Sequence, residues 1–546
     1  MKVLFVYPGN SNIGLNAYYT MSTCADSWYM PIGLCYLASV VLKEGHEVDL
    51  LDLRYTSGFE QVEDKIVSSD SDIVAISFQT PGVKLAYEVA KIAKKYNKIV
   101  VAGGIHPSIL PEETLNSSFF DHVVVGEGCI SFPKVVNKLA RGSYVAPLII
   151  GEYVSNLDDI PFPHYFDLYV DSVIKEKKIV MMFTSRGCPG RCTYCQPVAH
   201  KLFGKKVRFR SADNIIAEVI EWKNKFDIVQ FMLVDDTFMT KKKLVRDFCE
   251  KLIEQKIGLK WSCNARVNEF DEDTVRMMAE SGCVWICIGF ESGSQHILDI
   301  TKKGTTVVQG YRAAELCYKY KIGFTTNILV GIPGETEEDY KLNLEFVKNI
   351  KATRISYNWL VPYPGTEIYE YCKSNKLLCE SISWDNYEMN QIKVQGIINS
   401  INYDMARHWE GETEEIYALN IFYQKLFKNG HHIKEDSDID SFFEHCLSLS
   451  KNDPEIAKLP YFLGKMHKKK GDLDKATGYL QQTLLLLKEM KKEDNGLLLS
   501  THFHLGEIFY NLGKKDLARK EFEACTVLTT NHVKAKKYLK LLHPIQ

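Results

Sequence analysis

Three cysteines fall close together, Cys188, Cys192 and Cys195, in Ser185-Arg186-Gly187-Cys188-Pro189-Gly190-Arg191-Cys192-Thr193-Tyr194-Cys195. Cysteine thiolate is the ligand of iron–sulfur clusters and of zinc. Gly187, Pro189 and Gly190 keep the segment from being helical, so three thiols on one short loop can face one centre. A closed structural zinc site takes four ligands. No second cysteine pair follows here, and the nearest histidine downstream is His200. A cuboidal cluster held by three cysteines leaves one iron open, as a substrate-binding cluster requires. Zinc, or three thiols packed as small hydrophobes, are the alternatives.

Further candidates recur at fixed places downstream: Asp235-Asp236, Glu291-Ser292, and Gly331 with Glu335. Each has a plain reading as well. The aspartates could cap a helix, Glu291 could be a buried ion-pair partner, and Gly331 and Gly334 could be turns.

The elements that must position these residues read as strand–helix alternation. Between 179 and 370 the candidate strands are 179–184, 229–234, 260–264, 284–290, 323–330 and 354–360. Helical spacing occupies 212–225, 241–256, 271–281, 307–319 and 336–349. Six β/α units of this length predict a barrel, or part of one, with its site at the strand carboxyl ends. Cys188–Cys195 follows the first of these strands, and Asp235, Glu291 and Gly331 end later ones.

A second alternating region precedes it. Strands are expected at 3–7, 48–53, 73–78, 99–102 and 123–125, with helices at 34–43 and 85–96, which predicts a doubly wound parallel sheet. Ligands of such sheets sit beyond the strand carboxyl ends. Those ends carry Pro8-Gly9, Ser77, Gly103-Gly104 and Gly126-Glu127-Gly128. The domain reading is 1–145, a linker at 146–178 interrupted by Pro147, Pro161 and Pro163, a barrel at 179–390, and an all-α region at 391–546. Within the last, Leu463-Gly464, Gly471, Ala476 and Leu480 repeat 42 residues later as Leu505-Gly506, Gly513, Ala518 and Phe522. A tetratricopeptide unit is about 34 residues, and a charged insertion at 488–497 accounts for the excess. An ordinary helical bundle is the alternative. Such a tail could recruit a protein partner or cap the fold.

Cys-x3-Cys-x2-Cys with an aromatic, Tyr194, before the last cysteine, after the first strand of a β/α barrel, resembles the radical S-adenosylmethionine superfamily. The preceding sheet, with Pro31-Ile32-Gly33-Leu34, Gly45-His46-Glu47-Val48, Gly103-Gly104-Ile105-His106-Pro107 and Val125-Gly126-Glu127-Gly128, resembles the cobalamin-binding domain found in one class of that family. The resemblance covers residues 1–390. It implies a 4Fe-4S cluster on Cys188, Cys192 and Cys195, as both metal ligands and catalytic centre. It also implies S-adenosylmethionine contacts from Tyr194, Asp235, Asp236, Glu291, Ser292, Gly331 and Glu335. Cobalamin would lie over Ser77, Gly103, Gly104, Gly126 and Glu127. The loop after the first strand, Pro8-Gly9-Asn10-Ser11-Asn12-Ile13-Gly14, contains no histidine, so it supplies no lower ligand to cobalt. His106 would lie near the nucleotide tail or be structural. The implied activity is radical methylation of an unactivated carbon or phosphorus. The alternatives are a radical cyclase of the anaerobic Mg-protoporphyrin monomethyl ester cyclase type and, in another class, a helical-repeat interaction scaffold. A flavodoxin- or ferredoxin-type reductant is implied as partner, together with an unknown small-molecule or peptide substrate.

Composition agrees. The 546 residues suggest three or four domains. Lys plus Arg is 67 and Asp plus Glu is 69, a net charge of −2, which argues against a bulk nucleic-acid binder. No apolar run reaches the ~18 residues that span a bilayer, and the start is too short for a signal peptide, so a cytoplasmic location is expected. The fifteen cysteines cannot all pair. Apart from the three of the loop they are expected to be packing thiols, with a substrate-side place possible for Cys263 at a strand end. Cys283 and Cys287 are expected in the barrel wall, and Cys24 and Cys35 near the cofactor face. An open cluster is oxygen-sensitive, so an anaerobic setting is expected. Phe238, Trp359 and Tyr363 are expected at the barrel mouth.

Overall fold

Fourteen strands and their helices are seen in a computed structural model, which describes residues 1–9, 30–195, 198–379, 384, 387, 458–489, 495–528 and 533–542. The loop at 10–14, Cys24 and residues 391–457 lie outside the described residues. Of the described residues, those within Met1–Asp339 and Ser356–Ile401 form one compact unit, and those within Tyr340–Ile355 and Asn402–Gln546 a second.

The first unit opens with β1 (Lys2–Tyr7), β2 (Glu47–Asp52), β3 (Ile73–Ser77), β4 (Ile99–Gly103), β5 (His122–Val125) and β6 (Leu148–Ile150), in the order β2-β1-β3-β4-β5-β6. Every pair is parallel. The strands are runs of Val, Ile and Leu because parallel strands are covered on both faces; Val3–Val6 and Ile73–Ile76 are almost fully buried. The register sets Ser77 beside Gly103 at the carboxyl end.

Next come β7 (Ile179–Met182), the short antiparallel pair β8 (Ser185–Arg186) and β9 (Arg208–Phe209), then β10 (Gln230–Leu233), β11 (Lys260–Arg266), β12 (Cys283–Glu291), β13 (Gly323–Val330) and β14 (Arg354–Trp359). Their sheet runs β7-β10-β11-β12-β13-β14, the neighbour-to-neighbour order of a partial β/α barrel. Local chemistry sets the intervening helices. Ser211 caps Ala212–Phe226, Asp271 caps Glu272–Glu280, and Thr306 with Gln309 forms a capping box on Val307–Lys319.

Two expectations need correction. The segment expected to be only a connection, 146–178, supplies β6 and a helical stretch at Asp167–Lys177. Pro147 does not prevent this, because a proline ahead of an edge strand costs no ladder bond, and its carbonyl accepts from the Val123 amide. Cys263 lies mid-strand in a longer β11, 1% exposed, so it is a packing thiol.

In the second unit, helices Lys458–Lys470 and Leu473–Glu489 form one hairpin, Asn495–Asn511 and Lys515–Leu528 another, followed by Val533–Leu542. The repeated residues occupy equivalent places. A Cβ on Gly464 would stand 2.6 Å from Leu480, and one on Gly506 2.6 Å from Phe522. Ala476 and Ala518 are fully buried, and Gly471 and Gly513 turn the chain with φ of +84° and +71°.

Candidate active site

The thiol loop leaves β7 and is anchored at its start by Asp235, beyond β10. Its carboxylate accepts from the Thr184 and Ser185 amides (2.8 and 2.5 Å) and from both their hydroxyls (2.9 and 2.8 Å). It is 2% exposed, and burial raises its pKa to about 6. Asp235 therefore positions the loop, and its oxygens are taken up by this chain. Asp236 next to it is exposed to the cavity described below.

Gly187, with φ of +94°, turns the chain out of β8. The Gly190 amide donates to Cys188 Sγ at 3.4 Å and the Cys195 amide to the Cys192 carbonyl at 3.0 Å. Thr193 stitches the loop to the barrel, through Thr301 O and the Ile368 amide. Burial raises the Cys188 thiol, and pushes Cys195 up to about 12, with Asp236 and the other two cysteines adding to the rise at Cys195. The three sulfurs thus lie within electrostatic reach of one another. Among the described residues no three Cys, His, Asp or Glu side chains converge on one ion position.

One group that composition and spacing did not reveal is Arg266, at the end of β11. It is 8% exposed, its Nη1 lies 3.5 Å from Cys192 Sγ, and it donates to the Lys303 carbonyl. A Cβ on Gly190 would come within 2.8 Å of that guanidinium, so glycine lets the arginine reach the sulfurs.

The remaining predicted residues line the barrel's carboxyl ends. Glu291 follows a register shift in β12 and has φ of +70°, a strained setting of the kind found at functional sites. Its carboxylate pairs with Lys303 at 2.8 Å. Ser292 is buried and its Oγ accepts from the Ser294 amide. Gly331, φ +79°, donates its amide to Glu335 at 2.6 Å. Burial lifts Glu335 to about 7 against the Gly331 and Ile332 amides. Among the described residues its second oxygen has no hydrogen-bond partner, nor do the buried hydroxyls of Tyr194, Thr326 and Tyr363. Unpartnered buried polar atoms are rare in native proteins. Such atoms in the barrel, these among them, fit a polar ligand such as S-adenosylmethionine. Phe238 is not at the mouth: it packs edge-on against Phe248 and Trp261, each at 5.7 Å.

The first sheet and the barrel share a cavity of about 320 Å³. Ser77, Gly103, Gly104, Gly126 and Glu127 line one side, and Ser185, Arg186, Gly187, Asp235 and Asp236 the other. Ser108, fully buried, ties two glycine turns together: its hydroxyl donates to the Gly104 carbonyl (2.6 Å) and accepts from the Gly126 amide (2.9 Å). A Cβ on Gly104, φ +98°, would stand 2.8 Å from the Phe78 backbone. A Cβ on the neighbouring Gly103 would meet nothing within 4 Å, so the backbone there is open to close approach by a large cofactor.

Glu127 differs from expectation. Its carboxylate accepts from Arg208 on both oxygens, lies 3.5 Å from Arg186, and accepts from the Val154 amide at 2.9 Å. It clamps the first sheet to the β8–β9 hairpin that leads into the thiol loop. A second tie is Glu218, fully buried, which accepts from Tyr36, Arg210 and Trp222. His106 is structural: it is 1% exposed, 3.2 Å from Thr80 Oγ1 and stacked on Phe78. Cys35 and Cys283 are buried, and Cys287 is half-buried and accepts from Asn327.

Comparison with known proteins places this geometry. The Radical SAM superfamily model matches residues 182–347, and the B12 binding domain model matches residues 20–136. An uncharacterized methyltransferase of Pyrococcus horikoshii is 32% identical over 406 residues, covering 71% of this chain and 86% of its own. The anaerobic magnesium-protoporphyrin IX monomethyl ester cyclase of Rubrivivax gelatinosus is 25% identical, covering 68% and 70%. In fold, the cobalamin-dependent S-adenosylmethionine radical enzyme OxsB superposes with a TM-score of 0.63 at 17% identity, covering 94% of this chain and 84% of its own. With the cysteine loop, the barrel and the glycine-lined sheet all present, the chain belongs to the class of radical S-adenosylmethionine enzymes that carry a B12-binding domain ahead of the barrel.

Proposed function

We propose that this chain is a cobalamin-dependent radical methyltransferase acting on an unactivated carbon or phosphorus centre. The observation that carries the reading is the single cavity shared by the glycine turns of the first sheet and the start of the thiol loop. The turns proposed for cobalamin and the residues just ahead of the proposed cluster ligands line it together, which supports two cofactors acting at one place. Bound there, the 4Fe-4S cluster with S-adenosylmethionine supplies radical hydrogen abstraction, and cobalamin supplies the methyl group. Cys188, Cys192 and Cys195 hold the cluster and leave one position open. Asp235 holds the loop's first residues in place through four hydrogen bonds. Tyr194, Asp236, Ser292 and the Gly331–Glu335 turn orient the amino acid and nucleoside of S-adenosylmethionine, with Glu291 held in position by Lys303. Ser77, Gly103, Gly104 and Gly126 offer backbone to the corrin side, and the cavity walls exclude water from the reaction.

Anaerobic reconstitution followed by iron, sulfide and cobalamin analysis tests the cofactors. Cys192→Ala should abolish the cluster absorbance, and a variant that kept cluster and activity would refute the ligand assignment. Products test the reaction. A carbon methylase makes both S-adenosylhomocysteine and 5′-deoxyadenosine, whereas a cyclase makes only the latter. The cyclase is the second reading, supported by the cyclase relative. The helical unit acts as a tetratricopeptide-like recruiting surface or as a cap. If deleting it leaves S-adenosylmethionine cleavage intact but lowers substrate turnover, it recruits. Electrons come from a flavodoxin- or ferredoxin-type protein. Among the described residues no helix is long and apolar enough to cross a membrane.

A further inference from the structure

The thiol loop lines two recesses. Gly187 lines the shared cavity, while Gly190 and Arg191 line a separate recess with Arg266, Lys302 and Lys303. Those four cations meet one acidic side chain in the lining, Asp299. Arg266 forms the floor and touches Cys192 Sγ. Lys303 is buried against Glu291. The rim is different: Arg191 and Lys302 are exposed. Arg191 has no ion-pair partner among the described residues, and Lys302 pairs with the half-exposed Glu367.

We infer that this recess is the docking surface for the electron donor, a small acidic one-electron carrier protein. The inference rests on the radical-enzyme reading. Three observations carry it. Counting Asp299, Glu291 and Glu367 against its four cations, the recess keeps a net positive charge in a chain whose net charge is −2. Its floor is the guanidinium in contact with a cluster ligand. Its lining has no residue in common with that of the shared cavity, so donor and substrate would use different residues. The step is one electron: the donor is oxidised by one, the cluster is reduced by one, and no proton moves. Complementary rim charges act mainly on encounter rate and are screened by salt.

The test uses the full chain with a recombinant bacterial flavodoxin. Arg191→Glu/Lys302→Glu, and Lys302→Glu alone, are compared with wild type. Binding of oxidised flavodoxin to the chain without its cluster should weaken at least tenfold in the double variant and severalfold in the single one. Its loss between low and physiological salt should largely disappear in the double variant. With the cluster in place, reduction by flavodoxin hydroquinone should slow in parallel, while reduction by dithionite stays within twofold. Unchanged binding in both variants, or equal slowing with dithionite, overturns the docking site. A wild-type chain that takes up no iron and sulfide overturns the radical-enzyme reading instead, whatever the flavodoxin does.

Discussion

Replacing Glu127 by glutamine isolates the clamp between the first sheet and the thiol loop. The side chain is 1% exposed, and its partner Arg208 12%. Removing one member of a buried pair costs about 3–5 kcal/mol, because the other charge is left uncompensated. The lower end applies here. Glutamine keeps one oxygen for the Val154 amide, and Arg208 still donates to the Val154 and Phe203 carbonyls. A loss of ~3 kcal/mol corresponds to roughly a hundredfold rise in the open population. Amide hydrogen exchange should register that rise in peptides covering β8, β9 and Val154, and less in β1 and β3. Glu152→Gln is the control. Glu152 pairs with Lys134 where both side chains are more than half exposed, and such pairs are worth ~0–1 kcal/mol. If exchange near β8 and β9 changes by less than about threefold in Glu127→Gln, equivalent to under ~0.7 kcal/mol, the clamp does not hold the loop. Cluster uptake should then match wild type too.

Other outcomes are as definite. Gly104→Ala places a Cβ 2.8 Å from both Phe78 backbone N and O at φ +98°. Strain and overlap should cost about 2–4 kcal/mol, read by chemical denaturation, and cobalamin retention should fall. Gly506→Ala gains ~1 kcal/mol of helix propensity but drives a methyl into Phe522, a ring stacked on Tyr538 at 4.6 Å. A net loss of about 1–2 kcal/mol in the helical unit's thermal transition is expected, and no loss would show that the hairpins repack. Glu335 has its folded pKa raised from 4.5 to about 7 by burial, so its protonated form favours the folded state. That contribution is fully present below pH 4.5 and is lost as pH rises through about 7, on the order of 3 kcal/mol in all. Melting temperature followed between pH 5 and 8 should fall for wild type more steeply than for Glu335→Gln; equal slopes would sink this reading.

The parallel strands were legible as runs of β-branched residues at regular intervals, because burial on both faces leaves few other choices. The thiol loop was legible because metal ligation needs particular residue types at close spacing. The helical repeat was legible because glycine, alanine and a large apolar residue must recur together wherever two helices approach closely. What the sequence did not announce came from contacts between distant residues. Glu127 looked like part of a ligand cradle, yet Arg208, 81 residues later in the β8–β9 hairpin, claims both oxygens of its carboxylate and turns it into a clamp. Asp235 looked like a cofactor contact, and two amides and two hydroxyls at positions 184 and 185 claim it first. Arg266 carried no motif at all. Its place beside Cys192 depends on the end of β11 lying beneath the loop that follows β7, and on Gly190 leaving room. Residue type and local spacing determine which groups are able to do chemistry. Which of them remain free to do it is decided only when folding brings competing donors and acceptors into a buried space, where every charge must find a partner.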